Sequence, residues 1–216
     1  MKHVGLFLYL ILLFSCEGIV RFEEPQPEGV KAEVSVPKKL TGTYQLFDSP
    51  KSELIITRER VIQKITVDTT FRFSSLDSAD RIQILEDAAR DSLKNDPTFF
   101  TKIVGDTVYG HFGFVDTLLS IPDGDVLKKF KGYYLLNSCR GENSWYVTKL
   151  GVVKAGLVLG NISTGQDLKS LQALTNAPSD TIYTFRPTRR QFKKFINEHG
   201  DRLQTLYVKV PARQKH

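Results

Sequence analysis

Cysteine and histidine are scarce, with two and four copies in 216 residues. No His-x-x-x-His or Cys-x-x-Cys spacing suits a zinc ion, and neither a Gly-x-Ser-x-Gly elbow nor a glycine-rich phosphate loop is present. His3 precedes an apolar leader and His216 ends the chain, which leaves His111 and His199 for the folded part. Sites can be assembled from distant residues, so the missing motifs weaken the enzyme class without removing it. No catalytic residue, cofactor or metal is assigned from the sequence. Long apolar runs are missing too. The nearly unbroken run from Val4 to Phe14 covers eleven residues, against the roughly twenty that a membrane-spanning helix needs.

That run, behind Lys2 and His3, has the layout of a secretory signal. Its end, Leu13-Phe14-Ser15-Cys16, resembles the lipobox of bacterial lipoproteins, with a bulkier residue than usual in Phe14. In that family the signal is cut before the cysteine, which carries acyl chains such as palmitate. The resemblance implies a signal peptide over 1–15, lipid attachment at Cys16, and a lipid-anchored place in the bacterial envelope, at the outer membrane. Two acyl chains hold a protein to a bilayer stably where one is marginal. The alternative is an ordinary secretory signal cut after Ser15 or Gly18.

With Cys16 acylated, Cys139 is the last thiol and no intrachain disulfide can form. Cys139 stands at a strand-to-turn junction beside Arg140 and reads as a half-buried, inert residue before it reads as a reactive thiol. The formal charge of +6 and pI near 9.2 favour anionic partners, either an envelope component or a protein, and export argues against nucleic acid. Hydrophobic and aromatic contents of 41% and 11% are those of a chain that folds on packing.

Residues 16–39, with Glu23-Glu24-Pro25-Gln26-Pro27-Glu28-Gly29 and Pro37-Lys38-Lys39, read as a flexible tether. At roughly 3.1 Å per residue it could hold a domain up to ~70 Å from the bilayer. A single domain is expected over 40–210, and 211–216 form a basic tail. Strands are read at Leu40 to Leu46, Glu53 to Thr57, Val61 to Val67, Lys102 to Val104, Thr107 to Tyr109, Phe112 to Ile121 and Phe130 to Asn137. A polar turn is placed at Asp48-Ser49-Pro50-Lys51. Trp145 to Val153 and Leu157 to Ser163 form a hairpin, and Thr181 to Phe185 and Leu203 to Val210 complete the strands. Helices are predicted over Ser78 to Asn95, from the spacing of Ile82, Leu85, Ala89 and Leu93, and over Gln166 to Thr175. A third follows the capping box at Thr188 and Gln191 and stops at Gly200. The fold class is α+β and β-rich: an antiparallel meander sheet, a sandwich or an open barrel, with two or three helices packed on it.

Several stretches together resemble an uncharacterised family of small lipoproteins from Bacteroidota. They are Phe22 to Gly29, Leu40-Thr41-Gly42-Thr43-Tyr44, Leu127 to Asn137, Gly141 to Trp145 and Pro187 to Phe195. The resemblance implies an envelope lipoprotein and brings no activity. Six triples look like the Asp-(Ser/Thr)-apolar acceptors of O-glycosylation in that phylum, with Thr69, Ser78, Ser92, Thr107, Thr117 and Thr181 as candidate sites. Ordinary turn chemistry explains the same pattern, because Asp and Thr initiate turns. Asn161-Ile162-Ser163 also fits the N-glycosylation sequon, which matters in a eukaryotic host.

Two clusters stand out beyond these. Tyr133, Tyr134, Trp145 and Tyr146 fall on adjacent strands, either lining the core or forming a platform for a sugar or peptide. Arg186, Arg189, Arg190, Lys193 and Lys194 make the start of the last helix basic, against the sense of the helix dipole. The leading expectation is an envelope lipoprotein that binds or scaffolds without catalysing. The alternatives are a lipid-anchored hydrolase acting on envelope or polysaccharide material, and a secreted carrier with a ligand-holding barrel.

Overall fold

A computed structural model describes residues 20–94, 99–177, 184–200 and 204–211. Cys16, Thr181 and the tail from 212 onward lie outside them. The described residues contain thirteen strands in one open sheet, antiparallel except for one short pair, with three α-helices. The chain divides into a larger compact unit, Glu17–Gln63 with Asp116–His216, and a smaller one whose described residues are Lys64–Lys94 and Phe99–Val115. Within the single domain expected over 40–210, packing separates these two units, and the divisions fall inside two long strands.

In the larger unit the chain forms β1 (Arg21–Phe22), β2 (Ala32–Glu33), β3 (Gly42–Leu46) and β4 (Ser49–Ile56), followed by the start of β5 (Arg60–Arg72). It resumes with the end of β7 (Thr107–Ser120), then β8 (Val126–Phe130), β9 (Tyr133–Cys139), β10 (Trp145–Val153) and β11 (Gly156–Asn161). Helix α2 (Gly165–Thr175), β12 (Thr184–Phe185), α3 (Arg189–His199) and β13 (Thr205–Lys209) complete it. The strand order here is β2-β8-β9-β10-β11-β13-β3-β4-β5, with β1 paired to β10 and to β12. Alternation along β9 divides its side chains between two cores. Tyr134 and Leu136 join Leu54, Leu119, Leu150 and Tyr207 in one cluster. Leu135 joins Phe22, Val147, Leu171, Phe192 and Phe195 in the other, beneath α2 and α3.

Both helices begin with capping boxes, Thr164 with Asp167 and Thr188 with Gln191. At the far end of α3, the buried ammonium of Lys149 donates to the Gly200 carbonyl at 3.1 Å. Gly200 follows this helix as the sequence implies, although its backbone stays right-handed.

The tether is the largest correction. From Val20 onward it is packed: Val20, Phe22 and Gln26 are fully buried, and Phe22 pairs with Trp145 and Phe185. Packed backbone carbonyls need donors, those of Pro25 and Pro27 included. Lys128 supplies them, its ammonium lying 2.7 and 2.9 Å from the two oxygens. Asn137, also fully buried, accepts from the Gln26 amide at 2.6 Å and returns its own amide to the Gln26 carbonyl at 3.1 Å. The segment reads as linker because its packing depends on polar partners more than a hundred residues away.

Three strand boundaries also differ. Ser49 and Pro50 belong to β4, so the turn is Phe47-Asp48. Phe130 to Asn137 is two strands reversing at Lys131-Gly132, where φ is 51° and 86°. Thr107 to Tyr109 and Phe112 onward are one strand, β7.

The smaller unit holds the rest of β5, helix α1 (Ser78–Lys94), β6 (Phe99–Val104) and the start of β7, in the order β5-β7-β6. Its helix lies where periodicity places it, and Asp77 accepts from the Asp80 amide at 2.9 Å at its start. The stripe that predicts it is partly open, however, with Ile82 and Leu85 exposed. No described helix is long and apolar enough to cross a membrane.

Candidate functional site

Two surface recesses gather chemically useful side chains, one in each unit. In the smaller unit the β6–β7 register sets Phe100 opposite His111 and Lys102 opposite Tyr109. Alternation places Phe100, Lys102 and Val104 on the same face as Tyr109 and His111. With Asp68, Thr69, Thr70 and Gly110 these enclose about 370 Å³. The His111 ring stacks on Phe100, with centroids 5.0 Å apart and planes 13° from parallel. Its Nδ1 lies 2.6 Å from Asp68 Oδ1. A histidine donating Nδ1–H to a carboxylate presents Nε2 as an acceptor. Gly110 permits the approach of β5 to β7, because a Cβ there would lie 2.8 Å from Thr69 Cγ2 and 3.0 Å from the Phe112 ring. Tyr109 and Phe100 remain 42% and 37% exposed, so flat ring surface is open to a ligand.

In the larger unit Phe130, Lys131, Arg189, Arg190 and Lys193 line a shallower recess of about 570 Å³. Lys131 is carried on the two-residue turn between β8 and β9. Both turn residues take positive φ, as the favoured hairpin turns require, and lysine stands where asparagine, aspartate or glycine is usual. The other three cations come from the first turns of α3, where no acidic residue is present. Neighbouring charges are already paired: Arg186 lies 3.5 Å from Glu24 and Lys194 3.9 Å from Glu198. Among the described residues no hydrogen-bond or ion-pair partner meets Lys131, Arg189, Arg190 or Lys193.

The tyrosine and tryptophan cluster does not form a platform. Tyr134 enters one core, Tyr133 and Trp145 pack on the other, and Tyr146 lies under the Arg21 guanidinium at 5.8 Å. Cys139, expected to be half-buried, is exposed because it ends β9, and its thiol lies 3.4 Å from the Gly141 carbonyl. The Arg140 guanidinium turns to Asp116 at 3.4 Å. His199 packs edge-on against Phe195. Among the described residues no group of three His, Cys, Asp or Glu side chains converges on a metal position.

Of the candidate glycosylation residues, Ser78 and Ser92 are exposed on α1, Thr69, Thr107 and Thr117 are half-buried in β5 and β7, and Thr181 lies outside the described residues. Every described triple uses its aspartate within the fold. Asp68 holds His111, Asp77 caps α1, Asp91 accepts from the Thr101 amide, Asp106 accepts from Ser74 and Asp116 pairs with Arg140. Local structural chemistry thus accounts for the aspartates. Sequence reading missed the His111 recess because its residues come from three strands and carry no local spacing. No protein-family model, curated protein or solved structure matches the chain.

Proposed function

We propose that the chain is a lipid-anchored envelope lipoprotein that acts by binding rather than by catalysis, and that a saccharide-class ligand occupies the recess of the smaller unit. The observation that carries this reading is the combination of open rings at Tyr109 and Phe100 with Asp68, Lys102, Thr70 and His111 on one strand face. Pyranose rings present flat C–H faces to aromatic rings and hydroxyls to carboxylate, ammonium and imidazole, so apolar and polar contacts combine at low entropic cost. Glycoside hydrolysis by the usual route needs two carboxylates flanking the bond. Among the described residues Asp68 is the one carboxylate lining this recess, and it is engaged by His111.

Titration with cellohexaose, maltohexaose and chitohexaose tests the reading. Saturable binding of at least one, lost in Tyr109→Ala, supports it, and no binding of any overturns the ligand class. The anchor has its own test, since Cys16→Ser should abolish acyl labelling and release the protein from membranes. A second reading, a lipid-anchored hydrolase, draws support from the 2.6 Å Asp68–His111 contact, because a carboxylate-oriented imidazole is the form of a general base. Hydrolysis of any of the three oligosaccharides that His111→Ala abolishes would decide for it.

A further inference from the structure

The packed N-terminal segment shortens the tether. Val20 is fully buried and Phe22 is fixed between β10 and β12, so Cys16 stands four residues from a point anchored in the larger unit. Four residues span at most about 14 Å. The ~70 Å reach of an extended tether is therefore replaced by at most about 14 Å between Cys16 and that point. What Phe22 touches decides which surface lies near that point. Its ring is 6.0 Å from Phe192 of α3, and Phe192 is 6.3 Å from Phe130, which lines the basic recess. Arg189, Arg190 and Lys193 flank Phe192 on the same helix.

We propose that this recess seats phosphate groups of the bilayer that carries the anchor, docking the larger unit directly on an anionic membrane surface. The proposal rests on the reading of Cys16 as acylated. Three observations carry it. The short connection lets the larger unit meet the headgroups directly, inside the Debye length of about 8 to 10 Å beyond which exposed charges are screened. Arg189, Arg190, Lys193 and Lys131 have no counter-charge among the described residues, and two of them stand at a helix start where positive charge is disfavoured. An anion in the recess relieves both conflicts. Arginine forks also match phosphate oxygens two at a time. The Thr188–Gln191 capping box already engages the Thr188 and Gln191 amides, so the recess side chains are the main groups offered to the phosphate.

The test uses the mature polypeptide with Cys16→Ser, which carries no acyl chain, and sedimentation with vesicles of phosphatidylcholine alone or mixed with phosphatidylglycerol. Binding to the anionic vesicles at least tenfold stronger than to the neutral ones is expected, weakening as salt rises. Lys131→Glu with Arg190→Glu should lower it at least tenfold, and Arg190→Gln with Lys193→Gln should lower it less. Equal binding to both vesicles, or anionic binding that ignores the recess variants, overturns the proposal. So does saturable binding of inorganic phosphate alone without vesicle binding, which would assign the recess to a free anion. Labelled palmitate incorporation into the unmodified protein separates the two readings. If labelling at Cys16 fails while anionic vesicles are still bound through the recess, the anchor is wrong, and so is the claim that it sets the docking.

Discussion

Asn137 shows most clearly how single residues hold this fold. Its amide meets the backbone of Gln26 from both sides and also donates to the Val126 and Leu135 carbonyls, at 3.1 Å each. Asn137→Leu takes these partners from the buried Gln26 amide and carbonyl, at about 1 to 3 kcal/mol for each one stranded. A destabilisation of about 3 kcal/mol in denaturant, with new protease cleavage between Val20 and Val36, is the expected outcome. Wild-type resistance in the variant would count against a packed segment. The phenols of Tyr44 and Tyr207 give a second prediction. Burial pushes both above the usual tyrosine range, while the Gln63 amide, 2.6 Å from the Tyr207 hydroxyl, pulls that one partly back. A group whose folded value is raised contributes stability that is complete below the unfolded pKa, about 10, and is lost as pH rises through the folded value. Lys128 has the opposite sign, because burial lowers its folded value against the smaller opposing pull of Glu24 and Glu28, so its contribution grows as pH rises toward the unfolded value. Denaturation midpoints should therefore fall above about pH 10. They should fall more steeply in Lys128→Met and less in Tyr207→Phe.

At the scale of elements, Asp91 links α1 to the outer strand of the smaller unit. It is buried, and its Oδ2 accepts from the Thr101 amide of β6 at 2.9 Å. β6 ends the β5-β7-β6 order, so among the described residues its outward amides have no strand partner. Edge strands invite pairing with other chains unless something covers them. Asp91→Ala removes the cover and strands an amide, so sedimentation should show concentration-dependent self-association that the wild type lacks. These elements were unequally legible in the sequence. α1, α2 and α3 could be read because capping residues and apolar spacing are local, and α3 shows the Thr188–Gln191 pairing in full. The β8–β9 reversal was not legible, because Lys131 sits at a position where asparagine or glycine would have announced the turn. β1 and β2 were hidden for a related reason, being two residues each and held by distant partners. The basic recess was half legible: its helix cations were named from charge, whereas Lys131 joins them only through the turn.

At the scale of the molecule, the apolar core is unevenly shared. Both hydrophobic clusters lie in the larger unit. In the smaller unit Val108 is the one described hydrophobic side chain in the buried core, while Ile82, Leu85, Phe99, Phe100, Val104, Tyr109, Phe114 and Val115 are exposed to varying degrees. Periodicity could not reveal this, because a regular apolar stripe shows that a helix forms and says nothing about how much surface covers it. Regions with few buried apolar contacts open at lower free energy than the whole molecule unfolds. The strands β5 and β7 make that testable within a continuous element, since the division between units falls at Lys64 in one and after Val115 in the other. Hydrogen exchange should show a step along each strand. Amides of 64–72 and 107–115 should exchange at least tenfold faster than those of 60–63 and 116–120, and β9 and β10 should be slowest. A ligand seated on Tyr109 and His111 would slow the fast halves alone, because stabilisation by binding reaches only the states that bind. Uniform exchange along both strands would mean that the smaller unit is held as firmly as the larger and that its sparse core is no weakness.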